Sequence, residues 1–330
     1  MAHILYFGDG STSSTSGHRA HALKRLGHQV IVKDTDQKAR ELKHYNYLHP
    51  IHYRTGFRFV QKQLGKWLTE VLTENPKVDL IWVNGGEYFG PKCLRLLKSQ
   101  GCPVILYNND DPTGGRDGRR FDSLLQSLCH YDLCIVMREM NVSEFQRRGA
   151  KAVKRVYMSY DDVAHEPHST IDAIPSHFKS DVVFIGSWMK KEKRDAFLLS
   201  LMKAGVSVSI WGDRWEKSPL WNKLKHAHKG HAISGRDYVS AIQGAKVCLG
   251  LLSKGNRDMH TQRSLEVPYA GGLLCAERTE EHAELYEEGR EAFFWSNEQE
   301  CARVCNNTPC ATGRLSCTVG SNFNAIAKSQ

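Results

Sequence analysis

The sequence predicts an α/β protein made of two Rossmann-like domains facing across a cleft, and three observations carry that prediction. Short apolar runs alternate with helical stretches along most of the chain, which is the pattern of parallel strands covered on both faces. The alternation stops near residue 160, crosses a connector from Ser159 to Ser180 that holds Pro167, Pro175 and three histidines, and restarts at Val182. A chain of 330 residues also exceeds the length at which one hydrophobic core usually stops growing. Two domains follow: 1–160, then a linker 161–180, then 181–300, with an atypical tail at 301–330.

Ile4 to Phe7 reads as a strand, followed by a Gly/Ser/Thr-rich loop from Gly8 to Gly17, a helix from His18 to Leu26 stopped by Gly27, and a strand at Val30 to Val32. This is one βαβ unit. A basic amphipathic stretch from Gly56 to Leu72 spaces Phe57, Phe59, Val60, Leu64, Leu68 and Leu72 near helical intervals. It reads as a packed surface helix or as a face turned to an anionic membrane or an acceptor. Strands at Val78–Val83, Pro103–Tyr107, Leu133–Val136 and Val153–Met158 alternate with helices at Cys93–Leu97, Phe121–His130 and Asn141–Arg148. In the second half, strands at Val182–Ile185, Val206–Trp211, Val247–Leu252 and Leu273–Ala276 alternate with helices at Lys193–Ala204, Tyr238–Gly244, His260–Ala270 and Glu280–Glu288.

Net charge +9 and a pI near 9.0 attract an anionic partner, but phosphate-bearing sugars, anionic lipid and nucleic acid all satisfy that requirement. No zinc-finger spacing, basic heptad region or aromatic RNA-binding consensus accompanies the charge, so no nucleic-acid partner is expected. No run reaches the ~18 apolar residues of a membrane span, and the start at Met1 runs directly into a strand pattern. The expectation is therefore a cytoplasmic protein, peripheral at a membrane if the basic stretch faces one. Ten cysteines are scattered through apolar segments, which suits reduced thiols. Cys301, Cys305, Cys310 and Cys317 lack the paired C-x-x-C spacing of most structural zinc sites, so no metal is expected.

The chemistry concentrates between Arg257 and Glu266. Thr261 is placed to cap a helix opening at His260, whose unbonded N–H groups would form an anion site, and Arg263 adds a cation that can fork onto phosphate oxygens. A diphosphate is held well by such a set. Glu266 sits in the otherwise apolar run Leu265 to Ala270, where an unpaired carboxylate is costly to bury. It either accepts from two ribose hydroxyls or pairs with Arg263 at the i, i+3 spacing of a helix. Across from it, Gly186 and Ser187 end a strand and permit close phosphate approach, with Lys190, Lys191 and Arg194 following. Arg257 and Asp258 add a further polar pair to the loop.

The run Leu249–Leu252, Asn256 to Pro268, Gly271-Gly272, Glu277 to His282 and Phe293-Phe294 resembles the CgeB-type spore-maturation glycosyltransferases, which are related to the family-four glycosyltransferases. The likeness extends upstream through Tyr107 to Pro112, Arg148 to Ala150 and Val183 to Ser187, and so covers most of the chain to about residue 300. It implies a GT-B fold, a nucleotide-sugar donor of UDP or GDP type in the second domain, and retaining transfer with no obligatory cofactor or metal. Asp258 and Glu266 occupy the spacing of the family's E-x7-E pair, with aspartate in the first position. The resemblance thus implies a catalytic, sugar-contacting role for Asp258 beside Arg263, and places the nucleotide base against the backbone near Ile233.

In the first domain, Gly8, Gly10 and Ser11 would approach the donor phosphates or the acceptor, although no Walker sequence follows them. Asp110 and Asp111 end a strand where a carboxylate can orient or deprotonate an acceptor hydroxyl, or cap the turn at Pro112–Gly115. The acceptor is a glycan, a lipid-linked molecule or a protein. Asp34-Thr35-Asp36 matches the metal-binding D-x-D string, but reads first as a polar strand end. A non-catalytic sugar-nucleotide-binding module and a nucleic-acid-binding protein remain the alternatives.

Overall fold

The computed structural model describes residues 1–42 and 45–308. The described residues divide into two compact units, Met1–Tyr157 with Gly255–Arg257, and Met158–Lys254 with 258–308.

The first unit contains β1 (His3–Phe7), α1 (Thr15–Arg25), β2 (Gln29–Lys33), α2 (Thr35–Glu41), α3 (Tyr45–Arg54), α4 (Gln61–Glu74), β3 (Leu80–Asn84), α5 (Pro91–Lys98), β4 (Val104–Asn108), α6 (Asp122–Leu125), β5 (Leu133–Val136), α7 (Glu139–Arg147) and β6 (Val153–Arg155). Its strands form one parallel sheet in the order β2-β1-β3-β4-β5-β6. Every residue of β1 after His3 is buried, because that strand lies inside the sheet with helices on both faces; Leu5 registers with Ile31 on one side and Ile81 on the other. A continuous apolar run is what such a strand requires.

The helix expected over Gly56–Leu72 is a turn followed by α4. Leu64, Leu68, Val71 and Leu72 of α4, with Phe57 and Val60 before it, pack into the unit's core. The apolar stripe is therefore a core stripe, except that Phe59 points outward at 53% exposure. Gly56 adopts φ +63°, and a Cβ there would lie 2.8 Å from the Arg119 carbonyl oxygen, so only glycine fits that turn comfortably.

The second unit contains β7 (Ser180–Ile185), α8 (Arg194–Lys203), β8 (Val208–Trp211), α9 (Trp221–Leu224), β9 (His228–Gly230), α10 (Gly235–Gln243), β10 (Ala245–Gly250), α11 (Arg263–Tyr269), β11 (Leu274–Glu277), α12 (Glu280–Leu285), β12 (Phe293–Trp295) and α13 (Glu298–Asn307). Its parallel sheet runs β12-β11-β10-β7-β8-β9. Val182 to Ile185 are buried in the interior strand β7, and Trp215, fully buried, donates its indole N–H to the Gly186 carbonyl at 2.9 Å. Helix α13 continues to Asn307, beyond the point where the apolar periodicity fades, capped by Asn297 accepting from the Glu300 N–H. The rest of the expected tail, with Cys310 and Cys317, lies outside the described residues. Among the described residues no helix is long and apolar enough to cross a membrane.

Candidate functional site

In open parallel sheets, ligands collect at the carboxyl ends of the strands, and the singled-out residues of the second unit lie there. Strand β7 ends at Ile185 and leads into Gly186 and Ser187. A Cβ on Gly212, at the end of β8, would stand 2.3 Å from the Gly186 carbonyl oxygen, so two strand ends are drawn together by the lack of side chains. Arg194 braces this turn, donating from Nη1 to the Ser187 carbonyl at 3.0 Å, while Lys190 and Lys191 remain exposed. Ile233 is half-buried in the loop between β9 and α10. There Asp213 accepts from the Ala232 N–H at 3.2 Å and from His231 Nδ1 at 2.9 Å. Those hydrogen bonds, His231 first, hold its carboxyl below the usual range.

Helix α11 begins at Arg263 with Gln262 as its N-cap residue, later than the start expected at His260, and Thr261 does not cap it. The Ser264 N–H instead donates to the Thr261 carbonyl at 3.0 Å, while Ser264 Oγ accepts the Thr261 N–H at 3.0 Å and is itself hydrogen-bonded to His282 Nε2 at 2.7 Å. The ring of His260 is fully engaged. Nε2 accepts the Met158 N–H at 2.9 Å and Nδ1 pairs with Glu281, which fixes the Nδ1–H tautomer. His260 therefore orients the loop and has no ring N–H left to donate to a phosphate. The amides of Gln262 and Arg263 carry no acceptor among the described residues, and the buried Arg263 Nε has no hydrogen-bond partner there either. That orphaned guanidinium N–H is the feature an anionic ligand would satisfy.

Glu266 is 7% exposed. No ion pair joins it to Arg263 among the described residues; Oε2 accepts from the Tyr238 hydroxyl at 2.7 Å and Oε1 lies 3.6 Å from His165 Nε2. The Asp161 N–H donates to His165 Nδ1 at 2.9 Å, which leaves the ring proton on Nε2, toward Glu266. Burial, then the neighbouring Glu266 carboxylate, push the Tyr238 hydroxyl well above its ordinary pKa, so it stays a donor. Asp258 is also buried, at 8% exposure. Tyr238 and His165 were not singled out in the sequence. Tyr238 opens an apolar helix face and His165 lies in the connector, and neither position shows its spatial partner.

Arg257 belongs to the first unit. Its backbone is left-handed, φ 52°. Its guanidinium forks onto Asp111, 2.6 Å from Nε to Oδ2 and 2.7 Å from Nη2 to Oδ1, and also onto Glu144 at 3.0 Å. Asn141 Nδ2 adds a bond to Asp111 Oδ1 at 2.9 Å. Burial alone would raise the Asp111 carboxyl, but the Arg257 hydrogen bonds and charge overcome it and hold it below the usual range. Arg257 likewise pulls Glu144 down. A Cβ on Gly114 would sit 2.3 Å from Asp111 Oδ2, so that glycine lets the turn close over the cluster.

Asp110 lines a cavity of about 170 Å³ together with Asp9, Asp36, Asn84, Glu87 and Tyr88, at the carboxyl ends of β1, β3 and β4. Arg120 pairs with Glu87 at 2.7 Å and lies 3.4 Å from Asp110. The glycine-rich loop borders the same strand ends. A Cβ on Gly8 would meet Ser16 Oγ at 2.5 Å, the Gly10 N–H donates to Asp34 Oδ2 at 3.1 Å, and the Ser11 N–H donates to Asp9 Oδ1 at 2.8 Å. In the D-x-D string, Asp34 caps α2 through the Gln37 N–H, and Asp36 accepts from the Tyr88 hydroxyl at 2.7 Å.

Residues 193–309 match the family model described as glycosyl transferase-like. No curated protein matches the sequence significantly. Among solved structures, HepE of Anabaena in complex with UDP-glucose aligns over 100% of this chain and 95% of its own, at 16% identity and TM-score 0.62. A UDP-forming α,α-trehalose-phosphate synthase from Burkholderia vietnamiensis aligns over 100% and 97%, at 14% and 0.62. A trehalose-6-phosphate structure from E. coli bound with UDP-2-fluoro glucose aligns over 100% and 96%, at 11% and 0.60. The chain therefore has the two-sheet GT-B glycosyltransferase fold, with a glycosyl transferase-like domain at residues 193–309.

Proposed function

We propose that the protein transfers a sugar from a UDP-type nucleotide donor to a hydroxyl acceptor, with retention and without an obligatory metal. The observation that carries the reading is the pairing of a buried, hydrogen-bonded Glu266 with an Arg263 whose buried Nε–H lacks a partner, one turn apart on α11. A carboxylate oriented by Tyr238 and His165 keeps lone pairs for ribose hydroxyls. Arg263 and the two unbonded amides at the helix start stabilise the charge that grows on the leaving diphosphate, without reorganising. Gly186 and Ser187 let the phosphates approach, with Lys190, Lys191 and Arg194 beside that turn, and Ile233 is assigned to the base. Asp258 is the acid assigned to the donor sugar.

Asp110 in the first-unit cavity is assigned to the acceptor hydroxyl. Asp111 and Arg257 are assigned to holding the loop in shape, since each already satisfies the other. UDP-glucose in HepE and the UDP-forming synthase support a uridine donor, and the motif combination from Asn256 to His282 supports kinship with the CgeB-type proteins. A thermal-shift panel of UDP-, GDP-, ADP- and TDP-sugars on the wild type and on Glu266→Ala tests the reading. A UDP-sugar shift that Glu266→Ala abolishes is expected; if nothing shifts the wild type, the donor assignment fails.

A further inference from the structure

Three cysteines from two elements meet in the second unit. Cys301 and Cys305 lie one turn apart on one face of α13, and Cys275 meets them from the interior of β11. Their sulfur atoms all lie within 4.8 Å of one another. Cys275 and Cys301 are fully buried, and Cys305 is half-buried. The surroundings are otherwise apolar: Cys275 and Cys301 share a core cluster with Trp295, Leu249 and Ala302.

Alanine or valine would fill this space with no thiol protons to satisfy, whereas three adjacent cysteines offer each other only weak donors and weak acceptors. They do present three soft ligand atoms where one ion can reach all of them. With metal–sulfur bonds of about 2.3 Å, tetrahedral or trigonal coordination sets sulfur separations of about 3.8–4.0 Å. Closing from within 4.8 Å takes only small side-chain rotations.

We propose that Cys275, Cys301 and Cys305 bind a single thiophilic d10 cation of the Zn2+ or Cu+ class, which ties α13 to the sheet. An all-sulfur donor group without a carboxylate selects against Mg2+, Ca2+ and Mn2+. Each thiol gives its proton to solvent as its metal–sulfur bond forms. Three thiolates complete a trigonal shell for Cu+, while for Zn2+ the half-exposed side at Cys305 admits water as the fourth ligand. The loaded Zn2+ site carries one net negative charge, which solvent on that side screens. The role is structural and separate from sugar transfer, because the ion locks a helix and not a reacting group.

The test loads the full reduced chain, stripped with EDTA, with one equivalent of Zn2+, or of Cu+ under anaerobic conditions. Bound metal is measured after desalting, alongside the melting temperature and, with Co2+, the sulfur-to-cobalt charge-transfer absorption. A single bound ion, a raised melting temperature and that absorption are expected, with affinity weakened at least about tenfold in Cys275→Ser, Cys301→Ser and Cys305→Ser and unchanged in the exposed-site control Cys129→Ser. The half-exposed Cys305→Ser and the Co2+ spectrum of the wild type keep the test decisive if a buried variant fails to fold. A wild type that retains no metal, or a Co2+ spectrum without thiolate bands, overturns the proposal.

Discussion

At the residue scale, two neighbours hold the Glu266 carboxylate that we assign to the donor ribose. Tyr238 donates to Oε2 and His165 stands 3.6 Å from Oε1, so both oxygens are oriented before any hydroxyl arrives. Removing the Tyr238 hydroxyl costs one charge-assisted hydrogen bond, worth about 1.5–3 kcal/mol, part of which appears in ligand affinity. Tyr238→Phe is thus expected to weaken UDP-sugar binding roughly tenfold, read by calorimetric titration, and unchanged affinity would remove Tyr238 from the site. Asp111 gives a pH prediction. Its folded pKa is depressed, so its contribution to stability is complete above the ordinary aspartate range near pH 4 and is lost as pH falls through the folded value. Asp111→Asn should lower the melting temperature at pH 7 and flatten its decline toward pH 3. A parallel, merely displaced decline would show that the Arg257 pair does not govern acid stability.

At the scale of elements, glycines decide how closely loops approach the strand ends. A Cβ on Gly17 would lie 2.0 Å from the Ser11 carbonyl oxygen, a position no flexible side chain can relieve. Gly17→Ala is expected to open the turn before α1 and to destabilise the protein by about 1–3 kcal/mol, measured by urea unfolding. In contrast, Gly27→Ala meets open space and carries only the strain of its left-handed backbone, so it should cost less. Helix α4 gives a core counterpart. Leu68 is fully buried, and Leu68→Ala should cost about 2–5 kcal/mol, while Gln63→Ala on the exposed face should stay near zero.

At the scale of the whole molecule, the +9 charge speaks to association with a diphosphate. Raising ionic strength screens exposed lysines such as Lys190 and Lys191 far more than the partly buried Arg263. Donor affinity should therefore fall several-fold between low and high salt in the wild type, and less in a Lys190→Ala, Lys191→Ala double variant. Equal salt dependence in both would show that these lysines stand outside the donor's field.

Much of this architecture was legible in the amino-acid order. Val182 to Ile185 and Ile4 to Phe7 are continuous apolar runs, which only strands covered on both faces can bury, and glycines such as Gly27 and Gly149 mark helix ends by their left-handed backbone. Short elements were harder to read: β9 and β12 have three residues each, too few for a periodicity to show. Thr261 fits the local rules for a cap, but its carbonyl and not its hydroxyl takes the Ser264 amide.

The sequence by itself determined two parallel-sheet halves and pointed to the segment from Arg257 to Glu266, since strand periodicity and a charged run near apolar helix residues are local properties. Only the tertiary structure decided that Arg257 is satisfied by Asp111 and Glu144, that Glu266 rests on Tyr238 and His165, and that Cys275 joins Cys301 and Cys305. Those partners lie between 26 and 146 residues apart, and chain folding, with no local pattern to announce it, sets which side chains meet across such separations.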